Sequence, residues 1–123
     1  MNIPPCILVV DDSPTARRTT RCTLIDAGYD VVTADDGDDA LRLFEHHQPD
    51  AVVLDIILPK KNGFQVCRHL KSKHHHHARI LMLTSKSNQS DQEWGRRQGA
   101  DDYLTKPYET EQLLESLERL LVR

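Results

Sequence analysis

The most informative segment of the chain is residues 50–63, Asp50-Ala-Val-Val-Leu-Asp55-Ile-Ile-Leu-Pro59-Lys-Lys-Asn-Gly63. It begins with an unbroken apolar run over residues 51–54 that ends in a carboxylate. Such a run is typical of a strand buried on both faces of a parallel sheet. Pro59 and the Asn62-Gly63 pair indicate that a turn follows. Asp55 is therefore predicted to lie at the carboxyl end of a strand, where open α/β sheets bind their ligands.

Two more carboxylates follow a second apolar run, residues 7–10, which ends at Asp11 and Asp12. If these two strands are neighbours, Asp11, Asp12 and Asp55 converge on one small volume. Like charges at such short range raise one another's pKa unless a cation neutralises them. Carboxylate oxygens suit a hard divalent ion, most simply Mg²⁺. The pattern therefore predicts a Mg²⁺ site formed by these three residues.

Two further predicted strands also end in polar residues. Thr84-Ser85 follows the apolar run over residues 80–83, and Lys106-Pro107 follows residues 103–105. An acidic trio, a hydroxyl and an ammonium at strand ends are the groups that phosphoryl chemistry requires, because charge must be neutralised around phosphorus.

Strand and helix patterns alternate five times along the chain. Strands are predicted at residues 6–10, 29–34, 51–54, 79–83 and 102–105, and helices at 14–27, 38–47, 63–72, within 90–98, and at 110–122. This alternation predicts an α/β domain over residues 1–123: a doubly wound, five-stranded parallel sheet of the flavodoxin-like (βα)5 type. Its strand order, 2-1-3-4-5, places the first and third strands side by side.

Composition argues against several classes of function. The net charge of −3 provides no general basic surface for nucleic acid. The apolar runs are too short to span a membrane, and the N-terminus lacks the features of a signal peptide. Cys6, Cys22 and Cys67 are odd in number and far apart, which disfavours a disulfide framework. We expect a cytoplasmic protein without direct nucleic-acid or membrane partners.

Together these residues closely resemble the receiver domains of two-component response regulators, the family of the chemotaxis protein CheY. The resemblance covers essentially the whole chain. It rests on four motifs in the family's order and spacing: Asp11-Asp12, Asp55 with Pro59 and Gly63 behind it, Thr84-Ser85, and Lys106-Pro107. Residues 94–107 resemble more narrowly the single-domain regulators of type IV pilus twitching motility.

The resemblance implies a phosphoacceptor and a metal site. Asp55 would receive a phosphoryl group from a phosphohistidine on a sensor histidine kinase or a histidine phosphotransfer domain. Asp12 and Asp55 would bind Mg²⁺ directly and Asp11 through water, and the backbone carbonyl of Ile57 would complete the protein ligands.

The resemblance also implies a switch. Thr84 would hydrogen-bond the phosphoryl group and shift on its arrival, Lys106 would pair with a phosphoryl oxygen, and Tyr103 would swing inward. The bond between Lys106 and Pro107 is usually cis in the family. The output would be a changed surface on the fourth helix, fifth strand and fifth helix that binds a downstream protein. The chain is thus expected to be a switch rather than an enzyme.

Two other functions use similar folds or groups. Aspartyl-nucleophile phosphatases also use Asp, Lys and Mg²⁺, but they resemble a pattern with two aspartates flanking one residue, whereas Asp55 is followed by Ile56 and Ile57. A flavin or nucleotide binder would need a glycine-rich loop that cradles phosphate, and the sequence has none.

Several residues have simpler interpretations. Ser85 can cap a helix or turn, and Tyr103 can be a static aromatic of the core or edge. Trp94 either anchors a partner or packs its own helix. The four histidines at 74–77 suggest a solvated loop, because consecutive side chains cannot all reach one ion.

Three features depart from the family pattern or leave the protein's extent open. Ile57 and Lys86, which flank the path of the hydrolytic water in the family, provide no carboxylate or amide to orient it, so slow self-dephosphorylation is expected. Glu109 replaces the usual Ser or Thr cap, which predicts a shift of the cap to Thr110. The fifth helix ends near Arg123, which favours a stand-alone regulator, although a phosphorelay component or a receiver from a longer protein stays open.

Overall fold

The structure is a computed structural model that describes residues 3–72, 78–85, 93 and 99–122. Five parallel strands form one sheet in the order β2-β1-β3-β4-β5. They are β1 (Cys6–Val10), β2 (Asp30–Ala34), β3 (Ala51–Asp55), β4 (Arg79–Ser85) and β5 (Asp102–Lys106). The predicted doubly wound, flavodoxin-like sheet and its strand order are confirmed.

Helices cover both faces of the sheet. They are α1 (Pro14–Asp26), α2 (Gly37–His47), α3 (Gly63–Ser72) and the C-terminal helix (Thr110–Leu121). Ser13 caps α1 by accepting a hydrogen bond from the Ala16 N–H at 3.3 Å, with Pro14 at the first helical position. Among the described helices, none has the length and apolar composition needed to cross a bilayer.

Two apolar layers sandwich the sheet because side chains alternate between its faces. The layer under α2 and α3 includes Leu8, Val10, Phe44, Val52, Leu54, Val66 and Leu70. The layer under α1 and the C-terminal helix includes Ile7, Val9, Leu24, Val53, Leu81, Leu113 and Leu117. β3 is buried along its whole length, as its apolar run predicts. The strand ends are thereby held against a rigid core.

The predicted cap of the C-terminal helix is wrong, although the helix starts at Thr110 as predicted, and α2 begins one residue before its predicted start. The C-terminal helix is capped by Glu109 rather than Thr110: its backbone N–H donates to Gln112 Oε1 at 2.8 Å, in a reciprocal capping arrangement that needs no hydroxyl. α2 begins at Gly37 rather than at residue 38, because Asp36 accepts from the Asp39 N–H at 2.7 Å and starts the helix there.

Four sequence predictions lie outside the described residues. These are the helix within 90–98, Trp94 on it, the histidine-rich loop at 74–77, and Lys86; the side chain of Ser85 is likewise outside.

Gly63 fixes how closely α3 approaches the end of β3. A Cβ on Gly63 would lie 2.6 Å from Ile56 Cα and closer still to the Asp55 carbonyl oxygen. Gly63→Ala should therefore lower the free energy of unfolding by about 1–3 kcal/mol in urea denaturation, as expected for overpacking.

The matched control is Arg68→Ala on the exposed face of α3, which should change stability by less than about 0.5 kcal/mol. A Gly63→Ala variant as stable as the wild type would contradict the close approach.

Candidate functional site

Three carboxylates meet at the carboxyl edge of the sheet. β1 and β3 are adjacent and in register, with Val10 opposite Leu54, so the residues that follow Val10 lie beside Asp55. Oxygens of Asp11, Asp12 and Asp55 all lie within 4.8 Å of one another. Asp11 is 3% exposed and Asp55 is 9% exposed, whereas Asp12 is exposed to solvent. The predicted convergence of the three side chains is confirmed.

Lys106 reaches this cluster from β5, although β4 lies between β5 and β3. Its ammonium donates to Asp55 Oδ2 at 2.7 Å and lies 3.5 Å from Asp11 Oδ2. Burial alone would lower the pKa of Lys106, but the hydrogen bond and charge of Asp55, together with the charge of Asp11, raise it overall. Lys106 is therefore held as a cation beside the acidic trio.

The described groups fit a hard metal ion. Three carboxylates face one ammonium, so the cluster keeps an excess of negative charge, and its donors are all oxygens. Backbone donors orient two of these carboxylates: the Ser13 N–H donates to Asp11 Oδ1 at 2.9 Å, and the Ile57 N–H donates to Asp55 Oδ1 at 3.2 Å. Such an oxygen-only donor set suits a hard divalent cation better than a softer metal.

Ile57 lies in the loop that follows β3. Its side chain is 74% exposed, and its N–H contacts Asp55 as described above. The role of its carbonyl as a metal ligand stays a prediction.

A groove of about 650 Å³ opens beside the carboxylates. Thr84, which is 2% exposed at the end of β4, lines it together with Asp55 and Lys106. Residues of α1, of the loops after β1, β3 and β5, and of the C-terminal helix also line it. The predicted phosphoryl-binding residues therefore share one accessible cavity that is large enough for a small anionic group.

Tyr103 lies on β5, opposite Met82 of β4. Its ring packs against the core layer under α2 and α3, and its hydroxyl oxygen is shielded from solvent. This inward placement fits both a switch residue and a static core aromatic, so its switch role stays a prediction. The Lys106–Pro107 peptide bond is cis, as the family resemblance implies.

The sequence analysis missed two contacts beside the groove. Arg17 donates to the backbone carbonyl of Asp11 at 2.9 Å, and the hydroxyls of Thr20 and Tyr108 lie 3.3 Å apart, joining α1 to the loop after β5. Thr20 lies four residues before Leu24, on the buried side of α1, and this spacing was the available signal.

The raised pKa of Lys106 gives a test of the ion pair. Asp55→Asn removes the hydrogen-bonded negative charge but leaves Lys106 buried, so its pKa should fall below the wild-type value. NMR titration of the Lys106 side chain measures this. Because the pKa is raised in the folded state, the contact stabilises the protein below the ordinary lysine pKa and is lost as pH rises through the raised value.

Asp12→Asn serves as the control, because Asp12 is exposed and does not contribute to the raised pKa of Lys106. If the Lys106 pKa is unchanged in Asp55→Asn, or falls equally in both variants, Asp55 is not the main cause of the raised pKa.

Comparison with known proteins agrees with this geometry. Residues 7–118 match the model of the protein family described as the response regulator receiver domain. The chain is 40% identical to Protein PilH of Pseudomonas aeruginosa over 116 residues, which cover 94% of this chain and 96% of PilH. It is 44% identical over 121 residues to the response regulator MprA of Mycobacterium sp. strain KMS, covering 98% of this chain but 52% of MprA. The chain thus spans about half the length of that relative.

A solved structure shows the same fold. The chemotaxis protein CheY4 of Vibrio cholerae superposes with a TM-score of 0.91 at 34% identity, covering 97% of this chain and all of CheY4. The strand order, the acidic cluster with its lysine, and the family match lead to one conclusion. The chain belongs to the response regulator receiver domains of two-component systems.

Proposed function

We propose that Asp55 accepts a phosphoryl group from a phosphohistidine on a sensor histidine kinase or a histidine phosphotransfer protein, in a Mg²⁺-dependent reaction. The observation that carries this proposal is the position of Lys106, whose ammonium lies 2.7 Å from Asp55 Oδ2 while the Asp11 and Asp12 oxygens lie within 4.8 Å of those of Asp55. A nucleophilic carboxylate, a fixed cation and a set of metal ligands thus share one groove.

Asp55 is the best nucleophile of the three carboxylates. Both of its oxygens accept hydrogen bonds, Oδ2 from the Lys106 ammonium and Oδ1 from the Ile57 N–H. Its orientation at the wall of the groove is therefore fixed. Asp11 is more deeply buried and also accepts from the Ser13 N–H. Positioning supplies much of the catalysis in phosphoryl transfer, because the protein contributes little covalent chemistry.

Asp11, Asp12, Asp55 and the Ile57 carbonyl would hold the metal ion. When bound, Mg²⁺ neutralises charge on the carboxylates and on phosphoryl oxygens. Lys106 performs the same neutralisation from the β5 side, where its ammonium already faces Asp55. The repulsion between an incoming phosphoryl group and the acidic trio is thereby reduced from two directions.

The new phosphoryl group would bias a switch through Thr84 and Tyr103. Thr84 follows Leu83, the residue of β4 that pairs with Asp55, and β4 in turn pairs with β5, which carries Tyr103. Added negative charge and acceptor oxygens favour a conformation in which the Thr84 hydroxyl turns toward them. The output surface would comprise β5, the C-terminal helix and the helix predicted within residues 90–98, which would bind a downstream protein.

The signalling context follows from similarity. The likeness to PilH over nearly the full length of both chains supports a role in pilus motility, and the likeness to CheY4 supports chemotaxis-like control of a partner protein. In either context the chain acts as a phosphorylated switch and not as a steadily turning-over enzyme.

Acetyl phosphate labelling tests the phosphoacceptor directly. Intact mass spectrometry should show one added phosphoryl group in the presence of Mg²⁺, and none with excess chelator, because the carboxylate repulsion is then uncompensated. Asp55→Asn should show no adduct. The matched control, Asp35→Asn at an exposed aspartate, should be labelled like the wild type.

Labelling of Asp55→Asn as efficient as that of the wild type would refute Asp55 as the acceptor. Continuous hydrolysis of a phosphomonoester, with no stable adduct, would instead support a phosphatase.

Slow self-dephosphorylation is a second expected property. The exposed side chain of Ile57 carries no polar atom, so it cannot orient a water molecule for attack on the phosphoryl group. Ile57→Asn should shorten the lifetime of phosphorylated Asp55, followed by mass spectrometry after removal of acetyl phosphate. Ile57→Val is the matched control and should leave the lifetime unchanged; equal lifetimes in all three proteins would exclude this explanation.

A further inference from the structure

The loop between β3 and α3, residues 56–62, lies on the N-terminus of α2. This loop is defined here as the metal-side loop, because it contains Ile57. The Gly37 N–H donates to the Pro59 carbonyl at 3.4 Å. Two ion pairs flank this contact: Lys60 with Asp36 at 3.4 Å, and Lys61 with Asp38 at 3.5 Å. Elements that are far apart in the chain therefore meet in the loop that follows Asp55.

Gly37 leaves no space for a larger residue at this contact. It is buried, and a Cβ there would lie 2.6 Å from Lys61 Cβ and 3.0 Å from the Lys61 carbonyl carbon, with the carbonyl oxygen closer still. The obstructing atoms are mainly backbone, which cannot rotate away as the end of a side chain can. The steric contact outweighs the two ion pairs, because exposed pairs contribute little to stability.

The metal-side loop is folded tightly enough to transmit a shift at Lys61. The Lys61 N–H donates to the Pro59 carbonyl at 2.8 Å, and the Gly63 N–H donates to the Ile56 carbonyl at 2.7 Å. Lys60 has a φ of 68°, a left-handed conformation that costs energy for a residue other than glycine. Displacement of Lys61 would therefore strain the turn over residues 59–61, which begins two residues after Ile57.

We propose that Gly37 is a positioning residue for metal binding: its missing side chain lets the metal-side loop settle on α2 and so sets the position of the Ile57 carbonyl. The proposal rests on the proposed function for the location of the Mg²⁺ site. It adds a residue of α2, which carries none of the ligands, to the groups that determine metal affinity.

A purely local role for Gly37 predicts the opposite effect of a substitution. Gly37 is the first residue of α2 and its φ is not positive. Alanine has a higher helix propensity than glycine, so without the contact to Lys61 the change Gly37→Ala would be neutral or stabilising. The two explanations therefore predict opposite signs for the effect of Gly37→Ala on stability.

The test is Mg²⁺ affinity measured by isothermal titration calorimetry without any phosphodonor. Gly37→Ala should weaken Mg²⁺ binding about tenfold, a size typical of changes in residues that support metal ligands. Arg42→Ala is the control, because it removes an ion pair within α2 but no contact with the metal-side loop.

Unchanged Mg²⁺ affinity in a folded Gly37→Ala protein would overturn the proposal, as would equal weakening in Arg42→Ala. A second measurement on the wild type guards against a variant that fails to fold. In NMR titrations with Mg²⁺, the amide signal of Gly37 should shift with the same midpoint as that of Ile57. If Gly37 does not respond while Ile57 does, or if neither responds, the proposal is wrong.

The same data separate this proposal from the phosphoacceptor assignment. Wild-type protein that binds Mg²⁺ with the expected Gly37 dependence but is never labelled at Asp55 would refute the proposed function alone. If the wild type is labelled at Asp55 but Gly37→Ala leaves the Mg²⁺ affinity unchanged, this inference alone is refuted.

Discussion

The site depends on the contact between the Lys106 ammonium and Asp55 Oδ2, 2.7 Å apart across the end of β4. Three carboxylates in so small a volume repel one another, and a neighbouring positive charge offsets that repulsion. One ammonium offsets only part of that charge. The remaining excess of negative charge favours a bound cation, and in the proposed function it couples metal binding to the chemistry at Asp55.

Several strands must end at one edge for this arrangement to form. The parallel sheet provides that edge: Asp11 and Asp12 directly follow β1, Asp55 ends β3, and Lys106 ends β5. Apolar layers on both faces fix the strands against one another, so the polar ends need little additional support. The loop beyond β3 is positioned by close backbone contacts instead of by these apolar layers. Glycines at 37 and 63 allow it to approach α2 and the end of β3 closely.

The correct and incorrect predictions have identifiable physical causes. The unbroken apolar run before Asp55 and the helical spacing of leucines in the C-terminal helix are strong signals, and both elements appear where they were predicted. The cap of that helix was misplaced, because Glu109 lacks the hydroxyl of a usual cap, and the part played by Gln112 was overlooked. The residue that caps a helix depends on which neighbouring side chains can bond to its first backbone groups. Caps are therefore harder to predict than the helices themselves.

Local patterns in the chain were enough to predict the alternating strands and helices, the residues that end each strand and, through general rules of sheet topology, the convergence of Asp11, Asp12 and Asp55. Tertiary structure alone established that Gly37 contacts Lys61, that Thr20 meets Tyr108, and which oxygens Lys106 faces. These contacts join separate segments at van der Waals or hydrogen-bond range. Such contacts depend on how the segments pack in three dimensions, and no periodicity within one segment encodes that packing.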